Sequence, residues 1–157
     1  MEIDPNNIIV SADEILPGLW LGNEAASQSA SFMKKHKIGL IVNATKHIPS
    51  KFLGKIHYIR VPVNDPGIHS GDNEDVDIMR ISLPLVLAYI YKFRRAGKNV
   101  LVHCHAGAQR SAIIVAAYLL FRKHAKNIND AINQVIKHRG IAFFGGSSVN
   151  FRRALTG

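Results

Sequence analysis

Short apolar runs separated by polar turns predict five strands along the chain, over residues 14–16, 19–21, 38–43, 57–63 and 99–103. Longer segments with apolar residues at helical spacing predict five helices. Two of them cover residues 23–36 and 111–124, and another runs from the polar loop at 64–77 to residue 96. The fourth follows a cap at Asn129, and the last begins at Ser148. Because strands alternate with helices, we expect an α/β fold with a mainly parallel sheet covered by helices on both faces.

The helix that ends at residue 96 is the least regular of these elements. Pro84 lies inside it and indicates either a start near Ser82 or a kink, because proline lacks the amide that a helix interior needs. We expect most of its apolar side chains to be buried, namely Ile81, Leu83, Leu85, Val86, Ala88, Tyr89, Ile90 and Phe93.

Composition favours one folded domain. Of the 157 residues, 47% are hydrophobic and 20% are charged, so a single domain over residues 1–157 can bury one core. No apolar run is long enough to cross a bilayer, and we expect no membrane partner. A single cysteine excludes an internal disulfide, which fits a reducing compartment, the cytoplasm first and the nucleus as the alternative.

The formal net charge of +9 attracts anions of several kinds, including phosphoproteins, nucleic acid and acidic lipid. The basic residues are scattered in small clusters, and no long basic run or interleaved aromatic residues mark a nucleic-acid groove. Charge alone therefore leaves nucleic acid open as a partner without favouring it.

The cysteine lies between an apolar strand and an apolar helix, in the segment His103-Cys104-His105-Ala106-Gly107-Ala108-Gln109-Arg110-Ser111. A loop that closes onto a helix N-terminus points free amides and the positive end of the helix dipole toward a bound anion. We expect phosphate or another oxyanion to bind the backbone amides of this loop, contributed by His105, Ala106, Gly107, Ala108, Gln109 and Arg110.

The residue types of this segment suit phosphoryl transfer. Arg110 offers a planar fork that pairs two phosphate oxygens, and Cys104 is the candidate nucleophile, active as a thiolate. Ser111 can donate a hydrogen bond to the sulfur when it leaves, Gly107 allows the backbone angles of a tight loop, and His103 can fix the loop. The alternative, a small buried cysteine at a strand end, does not explain the other residues.

At this point the chain resembles a known family. His-Cys-x-x-Gly-x-x-Arg-Ser is the signature of the cysteine-dependent protein tyrosine phosphatases, and residues 106–107 and 111–112 are most similar to the dual-specificity branch. Residues 14–22, 38–45 and 58–65 also resemble strands of that branch, so the resemblance extends over residues 13–153. It implies a five-stranded mixed sheet flanked by helices and a single phosphatase catalytic domain.

The leaving oxygen of a phosphate ester needs a proton, which a carboxylic acid on a nearby loop can supply. Asp65 follows the strand at the place where the resemblance implies the general acid. By pattern alone, 65–67 is equally well a turn. The interval from Asp65 to Cys104 is longer than the family implies, so residues 67–75 are interpreted as an insertion. Asp72 is the nearest rival for the role of general acid, and Glu74, Asp75 and Asp77 are further alternatives.

These residues together predict hydrolysis of phosphate monoesters on phosphotyrosine and phosphoserine or phosphothreonine proteins through a phosphocysteine. The loop has no lysine, which favours phosphoproteins over inositol lipids. An RNA 5′-triphosphatase of the cysteine-phosphatase type is the main alternative, and a phosphate-binding pseudoenzyme is the other. No cofactor and no metal are expected, because His103 and His105 lack further ligands and a metal would occupy the nucleophile. The choice between monomer and homodimer stays open.

Overall fold

A computed structural model describes residues 9–65 and 73–156. The elements follow in the order β1 (Ala12–Leu16), β2 (Leu19–Gly22), α1 (Glu24–Ser27), α2 (Ala30–Lys35), β3 (Ile38–Asn43), β4 (His57–Arg60), α3 (Asn73–Arg95), β5 (Asn99–His103), α4 (Arg110–Phe121) and α5 (Ile128–His138). Two short 3-10 helices, Ala142–Gly146 and Arg152–Leu155, end the described chain. No helix within the described residues combines the length and apolar character needed to cross a bilayer.

The strands form one five-stranded sheet in the order β1-β2-β5-β3-β4. Strand β5 lies at its centre and runs parallel to both β2 and β3, and β4 extends the parallel part at one edge. The other edge is β1, which pairs antiparallel with β2 through a tight turn. The prediction of a mainly parallel α/β sheet is confirmed, with one antiparallel pair.

Alternate residues of the central strands point to opposite faces of the sheet, as the period of two requires. Ile41 and Leu101 pack with Phe32 and Met33 of α2 in the smaller cluster. Their neighbours along the strands face the larger cluster, which α3, α4 and α5 complete. Helix α4 is buried around most of its circumference, which explains why its sequence is apolar on every side.

Capping side chains divide the first predicted helix. The prediction of one helix over 23–36 is wrong, because α1 ends at Ser27 and α2 begins at Ala30. Asn23 accepts a hydrogen bond from the Ala26 amide at 3.0 Å, and Ser29 accepts one from the Phe32 amide at 3.1 Å. Each residue is an N-cap, so the second cap ends any continuous helix.

The strand and helix ends also differ from the predictions in detail. Strand β4 ends at Arg60 rather than at residue 63, and α5 is capped by Asn127, two residues before the predicted cap. The expected helix from Ser148 is instead the 3-10 helix Arg152–Leu155.

Helix α3 departs furthest from the prediction. It is already helical at Asn73 and keeps Pro84 inside it, so the predicted alternative of a start near Ser82 is wrong. The predicted burial of Ala88 is wrong, because this residue is exposed. Burial of Ile81, Leu85 and Tyr89 is also predicted wrongly, since they are 78%, 57% and 41% exposed. These three residues lie four apart and share the outer side of the helix, while the core takes the opposite side.

Candidate active site

Four chain segments leave the carboxyl edge of the sheet and meet around one cavity of about 210 Å³. Each segment follows a different strand, and ligands of parallel sheets bind beyond this edge. The cavity is lined by Glu24 after β2, by Thr45, Lys46, His47 and Ile48 after β3, by Val63, Asn64 and Asp65 after β4, and by His105 and Arg110 after β5.

Cys104 directly follows the central strand and is buried, with 2% of its surface exposed. Its Sγ lies 3.0 Å from Oγ of Ser111, the second residue of α4. A hydroxyl at this distance can donate a hydrogen bond to a sulfur that carries negative charge. The strand-to-helix connection thus places the thiol and the hydroxyl that can stabilise it side by side.

The start of α4 is open toward the loop. Gln109 is the N-cap residue, but its side chain makes no capping hydrogen bond. Among residues 9–65 and 73–156, the amides of residues 105–109 donate no backbone hydrogen bond. Free amides at a helix N-terminus form a binding site for an anion, because they combine donors with the positive end of the dipole.

Arg110 connects the loop to the segment after β4. Its Nη1 donates a hydrogen bond to the carbonyl oxygen of Val63 at 3.2 Å, and its Nη2 lies 4.0 Å from Oδ2 of Asp65. Within the described part of the chain, its buried Nε atom has no hydrogen-bond partner. A buried guanidinium donor without an acceptor is costly, so this nitrogen is suited to an incoming oxyanion.

Asp65 is presented by a tether from α3. Asp75 accepts a hydrogen bond from the amide of Asn64 at 3.1 Å and another from its Nδ2 at 3.2 Å. Asp75 is 4% exposed, whereas the side chain of Asp65 is 41% exposed and lines the cavity. The carboxylate of Asp75 therefore positions the segment that carries Asp65.

The other acidic candidates lie elsewhere. Asp77 pairs with Arg80 on the surface of α3 at 3.0 Å, and Glu74 is exposed in the first turn of that helix. Asp72 and most of the predicted insertion fall outside the described residues. Of the predicted candidates that the structure describes, Asp65 is the one that lines the cavity with Arg110.

Arg139, which sequence reasoning missed, holds the loop from behind. It is 2% exposed at the end of α5, and its Nε and Nη2 donate to the carbonyl oxygens of Gly107 and Ala106, both at 2.9 Å. Its Nη1 pairs with Asp13 at 2.8 Å. The sequence signal was weak, because an arginine after a helix usually indicates an exposed C-terminal turn.

Gly107 is required where the loop passes closest to β2. Its φ is +69°, and a Cβ there would lie 2.5 Å from the carbonyl oxygen of Gly22. Both the backbone conformation and the contact distance exclude a side chain. The loop can therefore turn only because this residue has none.

Gln109 anchors the loop with its side chain, which is bonded to the segment that follows the first 3-10 helix. Its Nε2 donates to the carbonyl oxygen of Ser148 at 2.8 Å, and its Oε1 accepts from the Asn150 amide at 3.0 Å. The carbonyl oxygen of Ala108 accepts from the Phe143 amide at 2.7 Å. Only the backbone of these two loop residues is available to an oxyanion.

His103 is fully buried at the end of β5. The pKa of its imidazole is lowered to about 4, first by burial and then by the charges of Arg60 and Arg110, while its hydrogen bond to the backbone of Cys104 acts in the opposite direction. The ring is therefore neutral at physiological pH. Its Nδ1 lies 3.3 Å from the carbonyl oxygen of Cys104, which can only accept, so Nδ1 carries the proton.

His105 lies at the mouth of the cavity with 72% of its side chain exposed. Its Nδ1 is 3.1 Å from Oε1 of Glu24, and its carbonyl oxygen accepts from the Glu24 amide at 2.8 Å. The loop is thus also joined to the start of α1.

Comparison with known proteins agrees with this geometry. The family model for "Dual specificity phosphatase, catalytic domain" matches residues 19–155. The dual specificity protein phosphatase Mpk3 of Drosophila melanogaster is 36% identical over 125 residues, covering 78% of this chain and 28% of Mpk3. The crystal structure of DUSP15 is similar with a TM-score of 0.76 and 27% identity, covering 92% of this chain and 84% of the other.

A mouse putative dual specificity phosphatase, crystallised in complex with zinc tungstate, is similar with a TM-score of 0.74 and 26% identity, covering 92% of this chain and 83% of its own. A cysteine and an arginine held around the start of a buried helix define the class of cysteine-dependent phosphatases. Within that class, the chain belongs to the dual specificity phosphatase family. It spans less than half the length of the curated relatives that it matches, 28% in the case of Mpk3.

Proposed function

We propose that this chain hydrolyses phosphate monoesters on phosphotyrosine and phosphoserine or phosphothreonine proteins through a phosphocysteine at Cys104. The observation that carries the proposal is the contact of its sulfur with Ser111, 3.0 Å away at the uncapped start of α4. The unsatisfied Nε of Arg110 supports an oxyanion as the ligand. The tungstate in the mouse relative supports it too, because tungstate and phosphate are both tetrahedral oxyanions.

In the first step, the phosphate group binds the loop amides and Arg110, and the Cys104 thiolate attacks phosphorus in line with the ester oxygen. The S–P bond forms while the P–O bond to the substrate breaks. The electron pair of that bond stays on the leaving oxygen, which takes the proton of Asp65. Acid catalysis of this kind contributes about 10²–10⁴-fold, and most for the weakly acidic alcohols of serine and threonine.

In the second step, water attacks the phosphocysteine and gives a proton to the carboxylate of Asp65. The S–P bond breaks, inorganic phosphate forms, and the electron pair returns to the sulfur. Ser111 donates a hydrogen bond to the leaving thiolate from its position 3.0 Å away. Splitting one difficult displacement into two in-line displacements is the advantage of the covalent intermediate.

Phosphoproteins are the substrates we favour. Residues 105–109 contain no lysine, and we expect the cavity of about 210 Å³ to admit tyrosine, serine and threonine phosphates. Residues 1–157 act as one catalytic domain in this proposal, in the cytoplasm or nucleus, where the thiol stays reduced. The family match favours this activity over an RNA 5′-triphosphatase.

A turnover panel tests the proposal. Phosphotyrosine and phosphothreonine peptides, triphosphate RNA and an inositol phospholipid are compared by phosphate release, with Cys104→Ser as the blank. Both peptides should be hydrolysed by the wild-type chain, and the variant should lose at least about 10⁴-fold of the rate. Faster γ-phosphate release from RNA than from either peptide, or turnover by the variant, would contradict the proposal.

A further inference from the structure

Two basic side chains on one wall of the cavity are not used by the chemistry described above. Lys46 and His47 follow β3, line the cavity together with Asp65 and Arg110, and are both exposed. Neither side chain has a hydrogen-bond or ion-pair partner among the described residues. His105 also lines the cavity but has a partner, because its Nδ1 contacts Oε1 of Glu24.

The loop that carries these two residues is held rigidly by buried polar groups. Thr45 donates from its hydroxyl to Oδ1 of Asn43 at 2.6 Å, and that hydroxyl accepts from the Ile48 amide at 3.2 Å. Asn43 in turn donates from Nδ2 to the carbonyl oxygen of Ile48 at 2.8 Å. Thr45 and Asn43 are 2% and 0% exposed, so the network lies under the loop.

Arg60 completes the support from the edge strand. Its Nη1 donates to the carbonyl oxygen of Thr45 at 3.0 Å, and its Nη2 donates to that of Ile48 at 2.9 Å. These bonds fix the backbone on both sides of Lys46 and His47. Because the backbone is fixed and the two side chains have no partner among the described residues, Lys46 and His47 can donate hydrogen bonds to a ligand in the cavity.

The order of the strands places an acidic and a basic side chain on opposite sides of the cavity. Strand β5 lies between β2 and β3, so Glu24 after β2 and Lys46 after β3 stand on opposite sides of the loop that begins with Cys104. A substrate with a second negative group is therefore attracted to the Lys46 side and repelled from the Glu24 side.

We propose that Lys46 and His47 form a second anion subsite, which binds an acidic or phosphorylated side chain next to the phosphoresidue being hydrolysed. This inference rests on the proposed function and names the substrate class of the same site. Carboxylate and phosphate share the chemistry that these donors recognise. Successive residues of an extended peptide advance about 3.3–3.6 Å, so a flanking side chain one or two residues away can reach the wall while the phosphate occupies the loop.

A peptide fits this arrangement better than an inositol phospholipid. Lys46 and His47 lie on the wall beside the acid segment, and the loop that would surround the phosphate has alanine at 106 and 108. The second charge of the ligand must therefore be carried at a distance from the scissile phosphate, as it is in a peptide chain.

The experiment compares kcat/KM for three phosphotyrosine peptides that differ only in the flanking residues, which are neutral, glutamate or phosphothreonine. An exposed ion pair contributes about 0.2–1 kcal/mol, so the wild-type chain should prefer glutamate over neutral flanks by up to about fivefold, and phosphothreonine more. The preference should shrink toward 1 M salt, where the Debye length falls to about 3 Å.

Charge reversal on the chain identifies the source of the preference. Lys46→Glu should abolish or invert the ratio of glutamate-flanked to neutral peptides, and His47→Gln should reduce it. The matched control is Lys35→Glu, which makes the same change in net charge on α2, at the opposite end of the sheet. The control should keep the wild-type ratio.

The outcomes separate this inference from the proposed function. If the wild-type chain hydrolyses neutral and acidic peptides equally well, the subsite is overturned and the phosphatase proposal stands. If Lys35→Glu changes the ratio as much as Lys46→Glu, the effect is one of net charge and the subsite is also overturned. Loss of lipid hydrolysis alone in Lys46→Glu would assign the two side chains to binding an inositol phosphate and would overturn the subsite as well. If no phosphopeptide is hydrolysed at all, the proposed function itself fails.

Discussion

The phosphate loop, residues 104–110, and the acid segment, residues 61–65, meet in one cavity, but they are held in different ways. The loop starts at the central strand and ends in the most buried helix, and its carbonyl oxygens are bound from behind by Arg139 and by the Phe143 amide. The acid segment leaves strand β4 at the sheet edge and depends on Arg110 and Asp75.

The difference shows where the site is rigid and where it is adjustable. A loop whose backbone is bound by buried groups keeps its amides oriented before substrate arrives, which is the requirement for stabilising charge in a transition state. The acid segment ends in a half-exposed aspartate, and we expect this end to adjust to leaving groups of different size. We therefore expect changes behind the loop to affect stability and activity together, and changes behind the acid segment to affect mainly the rate.

The largest effect is expected from removing the acid itself. Asp65→Asn should lower kcat by about 10²–10⁴-fold on a phosphothreonine peptide, because the poor leaving group then departs without a proton. The loss should be much smaller on p-nitrophenyl phosphate, whose leaving group needs little help. Steady-state kinetics on both substrates measure the difference.

Asp72→Asn and Asp77→Asn serve as controls for that assignment. Both should keep a rate close to that of the wild-type chain on the phosphothreonine peptide. Near-full activity of Asp65→Asn together with loss in Asp72→Asn would transfer the acid role to Asp72.

Breaking the support behind the loop should affect stability and activity together. Arg139→Leu leaves the carbonyl oxygens of Ala106 and Gly107 without their donors, and we expect a loss of about 2–4 kcal/mol in the free energy of unfolding. The kcat/KM should fall with it, because the amides of the loop lose their orientation. Urea unfolding and kinetics on the same preparation check both.

Arg139→Lys is the matched variant, since it keeps the charge near Asp13 but cannot form the same planar set of bonds. It should lie between the wild-type chain and Arg139→Leu in both measurements. Unchanged activity in Arg139→Leu at a temperature where it is folded would show that the loop needs no such support.

The buried His103 predicts a pH dependence of stability. Its pKa is about 4 in the folded chain, against 6.5 for a solvated imidazole, so the unfolded chain binds the proton more readily. The stabilisation from keeping this group neutral is present above pH 6.5 and is lost as pH falls through 4. At about 1.4 kcal/mol per unit of pKa, this difference amounts to roughly 3 kcal/mol.

Urea unfolding at neutral and mildly acidic pH measures that loss. His103→Gln should be less stable than the wild-type chain at neutral pH, but its stability should decline less between pH 6.5 and 4. An equal decline in both proteins would assign the acid sensitivity to other groups.

The smallest effect is expected from releasing the acid segment without removing the acid. Asp75→Ala deletes the acceptor of the Asn64 hydrogen bonds, and we expect kcat on the phosphothreonine peptide to fall about tenfold, because Asp65 is less well oriented. Asp77→Ala, on the same helix but paired with Arg80 on the surface, should show no such loss. Equal rates for the two variants would mean that the tether does not position Asp65.

Much of the fold could be predicted from periodicity, because β3 and β5 are continuous apolar runs and α4 is apolar throughout. The exposure of the outer side of α3 could not be predicted in this way, because Ile81, Leu85 and Tyr89 are apolar and their exposure depends on where the neighbouring elements pack. The break between α1 and α2 was predictable in principle from Ser29, but a cap inside an apolar pattern is a weak local signal.

In the candidate site, the thiol, the arginine and the hydroxyl are separated by few residues, so their proximity follows from one strand, one loop and one helix. The order of residue types in that segment was sufficient to predict an anion site with a nucleophile. Asp65 was predicted as the acid from the resemblance, because the pattern by itself fits a turn equally well. The structure adds that Asp65 shares a cavity with Arg110, and its role as the acid stays a prediction.

The amino-acid sequence by itself determined the class of fold and the local chemistry of residues 103–111, because strand period, helix period and loop length act over short distances. The tertiary structure decided which distant groups support that chemistry. Arg139 reaches the loop carbonyls, Asp75 holds Asn64, and Lys46 lines the cavity only because four parallel strands end at the same edge of the sheet. Such contacts depend on strand order, which residues far apart in the chain settle together through packing.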